Sequence, residues 1–285
     1  MGRKRHTINR NYSNCKIYHP SGKLMCVNSE KKGRWYVEKT GAKVISLKED
    51  GTLAEIQLTF EPKGMGYDED DVFGLSIQET RCVVSGVNDI KQLTKHHIVP
   101  ISFRRHFPLE YKSRNHHDVV YITEDLHDDY ERIGDKFRDE LAKKYGAMTY
   151  NEATTYFTKM MDSPEVKRMR KVKGCIGALE DCEDSLPDTR YREMQELVLS
   201  YIKNIYSVET DSITEYWSER VITDIDIELG RLRNLYKIDP YKDLIDKVGD
   251  IDAFVKIWRQ HFIDTMKPQY MPKGWSINYK TKVDI

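Results

Sequence analysis

Residues 93–131 read LTKHHIVPISFRRHFPLEYKSRNHHDVVYITEDLHDDYE, and the placement of histidine within them decides the fold. Gln92 to Val99 reads as a strand, so the adjacent His96 and His97 point to opposite faces. Ile101 to His117 is a long connection carrying Arg104, Arg105, His106, Lys112, Arg114, His116 and His117, and a connection of that length is usually functional or disordered. Asp118-Val119-Val120-Tyr121-Ile122 is a short apolar run that reads as a second strand. His127 follows where helical character begins, with Glu131 one turn later on the same face. Imidazoles on one strand and on the helix can hold a divalent ion beside a free imidazole that takes a proton from water.

The chemistry of a phosphodiester assigns the roles. An in-line water must be deprotonated near neutral pH, and an imidazole with a pKa of ~6.5 suits that task, so His97 is the candidate general base. His96 and His127 are candidate metal ligands, and Glu131 either completes the set or is a solvated helix charge. Asp118 either orients the His97 ring through a hydrogen bond or binds the metal, since a carboxylate can do both. Mixed nitrogen and oxygen ligands fit Mg²⁺ or Mn²⁺, with open positions for water and phosphate, or an adventitious Zn²⁺. Arg104, Arg105, Lys112 and Arg114 are candidates for phosphate contacts; the alternatives are a solvated basic loop and, for Arg104 and Arg105, pairing with the acidic stretch Asp125 to Asp129 in service of the fold. Cys82 and Ser85, with Thr123 and Leu126, occupy the positions of two cysteine half-sites, and one thiol in four positions argues against a structural zinc.

Composition bounds the rest. The 285 residues suffice for one large domain or two modest ones with a real core. Charged residues make up 32% and hydrophobic ones 39%, and the two signs balance at 46 each, so any basic surface must come from uneven placement. Met1 to Asn28 is one uneven stretch, with Arg3, Lys4, Arg5, Arg10, Lys16 and Lys23 and no carboxylate. A solvated terminus accounts for its first ten residues better than a nucleic-acid-touching arm or nuclear signal does. Five scattered cysteines, no secretory apolar segment and no membrane-length run point to reduced thiols in an intracellular protein, nuclear or cytoplasmic, with a viral origin left open.

Along the chain, Cys15 to Glu61 has a β pattern. Lys16-Ile17-Tyr18 and Leu24 to Val27 flank a His19-Pro20-Ser21-Gly22 hairpin turn. Trp35-Tyr36-Val37, Ala42 to Leu47 and Ile56 to Phe60 read as further strands, and Arg81 to Val84 as a short one. Lys63 to Asp71 reads as an exposed connector. From Asp125 the pattern is helical: Tyr130 to Tyr145 ending at Gly146, Thr149 to Met161, Glu165 to Leu179, Asp188 to Tyr206, Thr214 to Tyr236 and Tyr241 to Lys267. Cys182 to Pro187 is an acidic break, and Pro268 to Ile285 an irregular tail.

These residues resemble a known family. The chain is similar to the C-terminal, HNH-like region of exonuclease-domain-containing proteins of the EXD2 type, and more broadly to ββα-metal endonucleases. The matching stretches are Cys15 to Tyr18, Arg34-Trp35-Tyr36, Phe60 to Gly64, Arg81 to Val84, His97 to Pro100, Arg104 to Pro108, His117 to Val120, Leu126-His127, Trp258 to Phe262 and Pro272 to Trp275. Two departures stand out: the family's usual Asn position is Asp118, and its paired zinc cysteines are reduced to Cys82. The family's preceding exonuclease domain has no counterpart in these residues, so exonuclease activity is not carried over.

The expectation is an α+β protein: a β-rich N-terminal subdomain (1–79), an HNH-like ββα-metal unit (80–146) and a helical C-terminal region (147–285). Its expected function is metal-dependent hydrolysis of DNA phosphodiester bonds, with nucleic acid as partner, DNA favoured over RNA, and no membrane. The rival is a catalytically silent nucleic-acid-binding or structural packaging protein that retains the scaffold.

Overall fold

The computed structural model describes residues 13–63, 67, 70–112, 115–181 and 186–282. The basic residues Arg3, Lys4, Arg5 and Arg10, along with Arg114 and Cys182, lie outside them. The protein is α+β, with small sheets in its N-terminal part and a helical C-terminal part.

The turn at His19 to Gly22 joins β1 (Asn14–Tyr18) to β2 (Leu24–Ser29) as an antiparallel pair, with Gly22 at φ 86° where a side chain would be strained. β3 (Lys43–Leu47) and β4 (Leu53–Gln57) complete a four-stranded sheet in the order β2-β1-β4-β3, with β1 and β4 parallel. The last strand therefore lies a few residues earlier than the Ile56 to Phe60 expectation. Leu53, Ile56 and Leu58 are buried, while Phe60 is exposed.

Trp35-Tyr36-Val37 is a correction: these residues belong to α1 (Glu30–Thr40), not to a strand. Its inward residues are Gly33, Tyr36, Val37 and Thr40, which follow helical spacing, and aromatic and β-branched side chains merely disguise it. Ser29 caps the start by accepting from the Lys32 N–H at 3.3 Å, and Gly41 ends the helix in the left-handed region at φ 69°.

Arg81 to Val84 is likewise not a strand. A single bridge, Cys82 opposite Tyr121, and a Val83 N–H donated to the Tyr121 carbonyl at 2.8 Å anchor a turn. β5 (Leu93–His97) then pairs antiparallel with β6 (Val119–Thr123), His96 opposite Val120 and His97 opposite Val119. The connection between them is ordered by α3 (Ile101–Arg104) and by two 3-10 turns, Leu109–Tyr111 and Asn115–Asp118. Phe103 and Phe107 anchor it by packing edge-on against Phe254 at 5.2 and 6.3 Å between ring centres.

β6 runs straight into α4 (Glu124–Lys144). α2 (Val72–Leu75) is a single turn that follows the expected connector and is capped by its last residue, Asp71. After α4 come α5 (Tyr150–Met161), α6 (Pro164–Asp181), α7 (Asp188–Tyr206) and α8 (Glu215–Tyr236), close to the expected spans. Thr149 and Glu152 form a reciprocal capping box at the start of α5. The expected single helix from Tyr241 to Lys267 is two, α9 (Pro240–Lys247) and α10 (Ile251–Met266). Gly249 disfavours continuation, and Asp250 starts the second helix by accepting from the Ala253 N–H at 3.0 Å.

By contacts the chain divides into two units, Met1–Arg138 with Val248–Ile285, and Asp139–Lys247. The sequence-based division at 79/80 and 146/147 follows chain order, whereas α10 and the tail fold back into the first unit. The second unit has its own core, formed by Val166, Met169, Val172 and Ile176 of α6, Val198 and Ile202 of α7, and Val221 and Ile225 of α8.

Candidate metal centre

Strand alternation separates the two histidines of β5. His96 is 2% exposed, and its ring lies nearly parallel to Phe262 at 5.6 Å between centres and edge-on to Tyr130 and His127 at 4.9 and 5.3 Å. Neither of its ring nitrogens has a hydrogen-bond partner. Buried imidazoles are almost always hydrogen-bonded, and an orphaned buried polar group costs roughly 1–3 kcal/mol. One ligand atom each from His96, His127 and Glu131 lies within 4.8 Å of the others, so this corner has the donors for one divalent ion. Burial, followed by the charges of His127, His97 and Arg138, pushes the His96 pKa down to about 3, so its ring is neutral at pH 7 as a ligand must be.

Glu131 and His127 share a face of α4, one turn apart. Arg138 donates to Oε2 of Glu131 at 2.7 Å, leaving Oε1 available. Tyr130, not singled out in the sequence, closes the far side. Its hydroxyl hydrogen-bonds Nδ1 of His261 at 2.9 Å, and burial raises its pKa, which keeps it a neutral phenol.

His97 is half-buried on the other face. Nη1 of Arg104 donates to its Nδ1 at 3.0 Å, so the neutral ring carries its proton on Nε2 and its lone pair on Nδ1. Burial and then the Arg104 charge push the His97 pKa down to about 4, against an opposing pull from Asp118. Arg104 is 9% exposed, so this member of the basic connection is fixed beside His97 and not on the acidic part of α4. Arg105 is exposed and donates from Nε to Nε2 of His106 at 2.8 Å, and Lys112 donates to the Arg105 carbonyl at 3.1 Å.

Asp118 has a different setting from the two the sequence offers. Both of its oxygens accept from Arg259, at 2.6 and 3.0 Å, and it lies outside the His96, His127 and Glu131 group. Burial works to raise its pKa, but neighbouring His117 and Arg259 outweigh that and hold it below the usual carboxylate range. Arg259 sits on α10 and also donates to the carbonyls of Ile277 and Tyr279 and to the Thr281 hydroxyl. The Asp118 carbonyl accepts from the Ile98 N–H at 2.8 Å, which ties this network to the residue after His97.

Cys82 accepts from the Ser85 N–H at 3.3 Å. Burial raises its thiol pKa, and hydrogen bonds from Ser85, Val84 and Thr123 outweigh it, so the net shift is downward. One thiol does not make the four-ligand set of a structural zinc.

Comparison with known proteins places nuclease-domain proteins among the chain's relatives. The chain is 28% identical over 274 residues to the human exonuclease 3'-5' domain-containing protein 2, covering 94% of this chain and 40% of that protein. Its Drosophila melanogaster counterpart is 28% identical over 271 residues, 94% of this chain and 43% of that protein. The Arabidopsis thaliana protein RRP6-like 3 is 33% identical over 135 residues, 47% of this chain and 14% of that protein. The chain thus spans about two fifths of the length of the first two. No family model and no solved structure matches it. Among the described residues, no helix is long and apolar enough to cross a membrane.

Proposed function

We propose that the protein is a metal-dependent nuclease of the HNH, ββα-metal kind that hydrolyses DNA phosphodiester bonds. The observation that carries this reading is His96, sealed from solvent with both nitrogens unpartnered, with ligand atoms of His127 and Glu131 within 4.8 Å. The names of the relatives, which specify a 3'-5' exonuclease domain, support nuclease chemistry in general. The HNH assignment and endonucleolytic cleavage rest on the hairpin, the helix and their histidines.

In this reading His96, His127 and Glu131 hold one Mg²⁺ or Mn²⁺, which when bound neutralises charge building on the phosphate and the leaving oxygen. His97 accepts the proton of the attacking water at Nδ1. Arg104 keeps that atom unprotonated in the free protein. Burial is the larger cause of the low His97 pKa and the Arg104 charge the second; when a phosphate oxygen draws the guanidinium away, that second cause is removed and the basicity of His97 rises. Arg105 and Lys112 contact the phosphate backbone and set register, while Arg259 holds Asp118 and the start of β6. Asp118 is a positioning residue on this account.

One observation favours the silent binding or packaging rival: Arg104 occupies the His97 lone pair. Plasmid nicking with Mg²⁺, Mn²⁺ or EDTA separates the two. The wild-type chain should nick only with metal. His97→Ala should lose about 10²–10⁴-fold in rate while metal and DNA binding persist. His127→Ala should lose metal affinity and rate together, with partial recovery in excess Mn²⁺. Equal rates for His97→Ala and wild type would remove His97 as base and leave the binding protein standing.

A further inference from the structure

In a chain whose charges cancel, five of the seven residues from Lys167 to Lys173 are cationic and none is acidic. They lie on α6, in the second unit. Met169 and Val172 of this stretch, like Val166 just before it, are buried in the helical core, and Lys167, Arg168, Arg170 and Lys171 are exposed. Helical spacing places Lys167, Arg170 and Lys171 on one outward stripe that continues into Gly174. At Gly174 a Cβ would meet nothing within 4 Å, so no side chain stands over the stripe there.

Five other cations of this unit are paired within their own helices: Arg190 with Glu193, Arg220 with Asp224, Arg231 with Glu228, Lys242 with Asp246 and Lys247 with Asp243. On α6, Lys173 pairs with Asp226, Lys167 has only a distant contact with Asp162 at 3.9 Å, and Arg168 lies over the Tyr201 ring at 5.7 Å. Arg170 and Lys171 have no acidic partner among the described residues. Helix stability gains nothing from such crowding, since like charges three and four residues apart repel by a few tenths of a kcal/mol. A polyanion would turn that repulsion into attraction.

We propose that this face of α6 binds the phosphate backbone of a nucleic acid, without reading sequence. The choice of nucleic acid over other polyanions rests on the nuclease reading above. A lipid surface fits less well, because every large apolar side chain of the stretch points into the core and none is left to insert.

The test uses the full chain in EDTA, where cleavage is off, and compares wild type with the double variant Arg170→Gln and Lys171→Gln. Both positions are exposed, so equal melting temperatures confirm an intact fold. Affinity for a labelled DNA duplex is measured from 50 to 200 mM KCl, and vesicles of anionic phospholipid serve as the second probe. Loss of two phosphate contacts flattens the salt slope by about 1.8 units, so the fourfold salt step costs the double variant about twelvefold less affinity than it costs wild type. Unchanged slope and affinity, no duplex binding by wild type, or variant-sensitive binding to vesicles but not to DNA would each overturn the proposal. Plasmid nicking with Mn²⁺ runs in parallel. Nicking with no effect of the double variant on binding leaves the nuclease standing and removes the surface, and variant-sensitive binding without nicking does the reverse.

Discussion

Asp118 carries a full negative charge into the interior, and Arg259 answers it with two of its five N–H groups while three others hold the tail. A buried pair of this kind contributes little net stability against an apolar replacement, but losing one partner strands the other charge at a cost of about 3–5 kcal/mol. Asp118→Val and Arg259→Met should therefore each destabilise by about that amount, and the double variant by clearly less than their sum. Equilibrium denaturation of the four proteins measures this, and strictly additive losses would mean the two side chains do not depend on each other. The sequence singles out Asp118 as a candidate but not its partner, which lies 141 positions away. No spacing rule reaches that far. The grouping of His96, His127 and Glu131 is legible because strand alternation and helical spacing are local rules, whereas the burial of Arg104 beside His97 is a tertiary fact that no local rule supplies.

Among the elements, α1 shows how magnitudes settle a sign. Gly33 is buried in that helix, and alanine would ordinarily improve a helix interior by about 1 kcal/mol. A Cβ there would come within 2.7 Å of Sγ of Cys15, a fully buried residue of β1. Forcing the helix off the sheet costs about 1–3 kcal/mol, so overpacking should win and Gly33→Ala should melt below wild type. A higher melting temperature would show that Cys15 simply turns aside. The same contact accounts for the difference between the strand expectation and α1: Gly33-Arg34-Trp35-Tyr36-Val37 has strand-forming residues and a glycine, and only the sheet beneath rewards the helical face. The long helices from α4 to α8 were legible because their apolar periodicity is strong and their stops, Gly146, Pro164 and Pro187, are explicit. The division between α9 and α10 was not, because the apolar period runs on across Val248 to Ile251.

Across the whole chain, the decisive feature is the return of α10 and the tail to the unit that holds the histidines. The tail encloses His117, which is fully buried between the Tyr279 ring at 3.9 Å and the Trp275 ring at 5.4 Å, both nearly parallel to it. The Ser276 N–H donates to its Nε2 at 3.3 Å, and its Nδ1 lies 3.6 Å from Asp118, with Arg259 and His116 also bearing on its charge. Burial is the main cause that pushes its pKa down to about 4, against an upward pull from Asp118. The folded state therefore refuses a proton that the unfolded chain accepts near 6.5. The stability this represents is present above pH 6.5 and is lost as pH falls through the window down to about 4, at about 1.4 kcal/mol per pH unit for this ring. His117→Phe keeps a flat ring in the stack but removes the titration and the Ser276 contact. It should be less stable than wild type at pH 7 by about 1 kcal/mol. By pH 5 that gap should close or reverse, because only the wild type loses the His117 contribution. Melting curves at the two pH values, recorded in EDTA so that the metal binding proposed for His96 and His127 does not intervene, give the answer. A gap that stays constant would mean that His117 titrates in the folded protein as it does in the unfolded chain, and that the tail does not seal it from water.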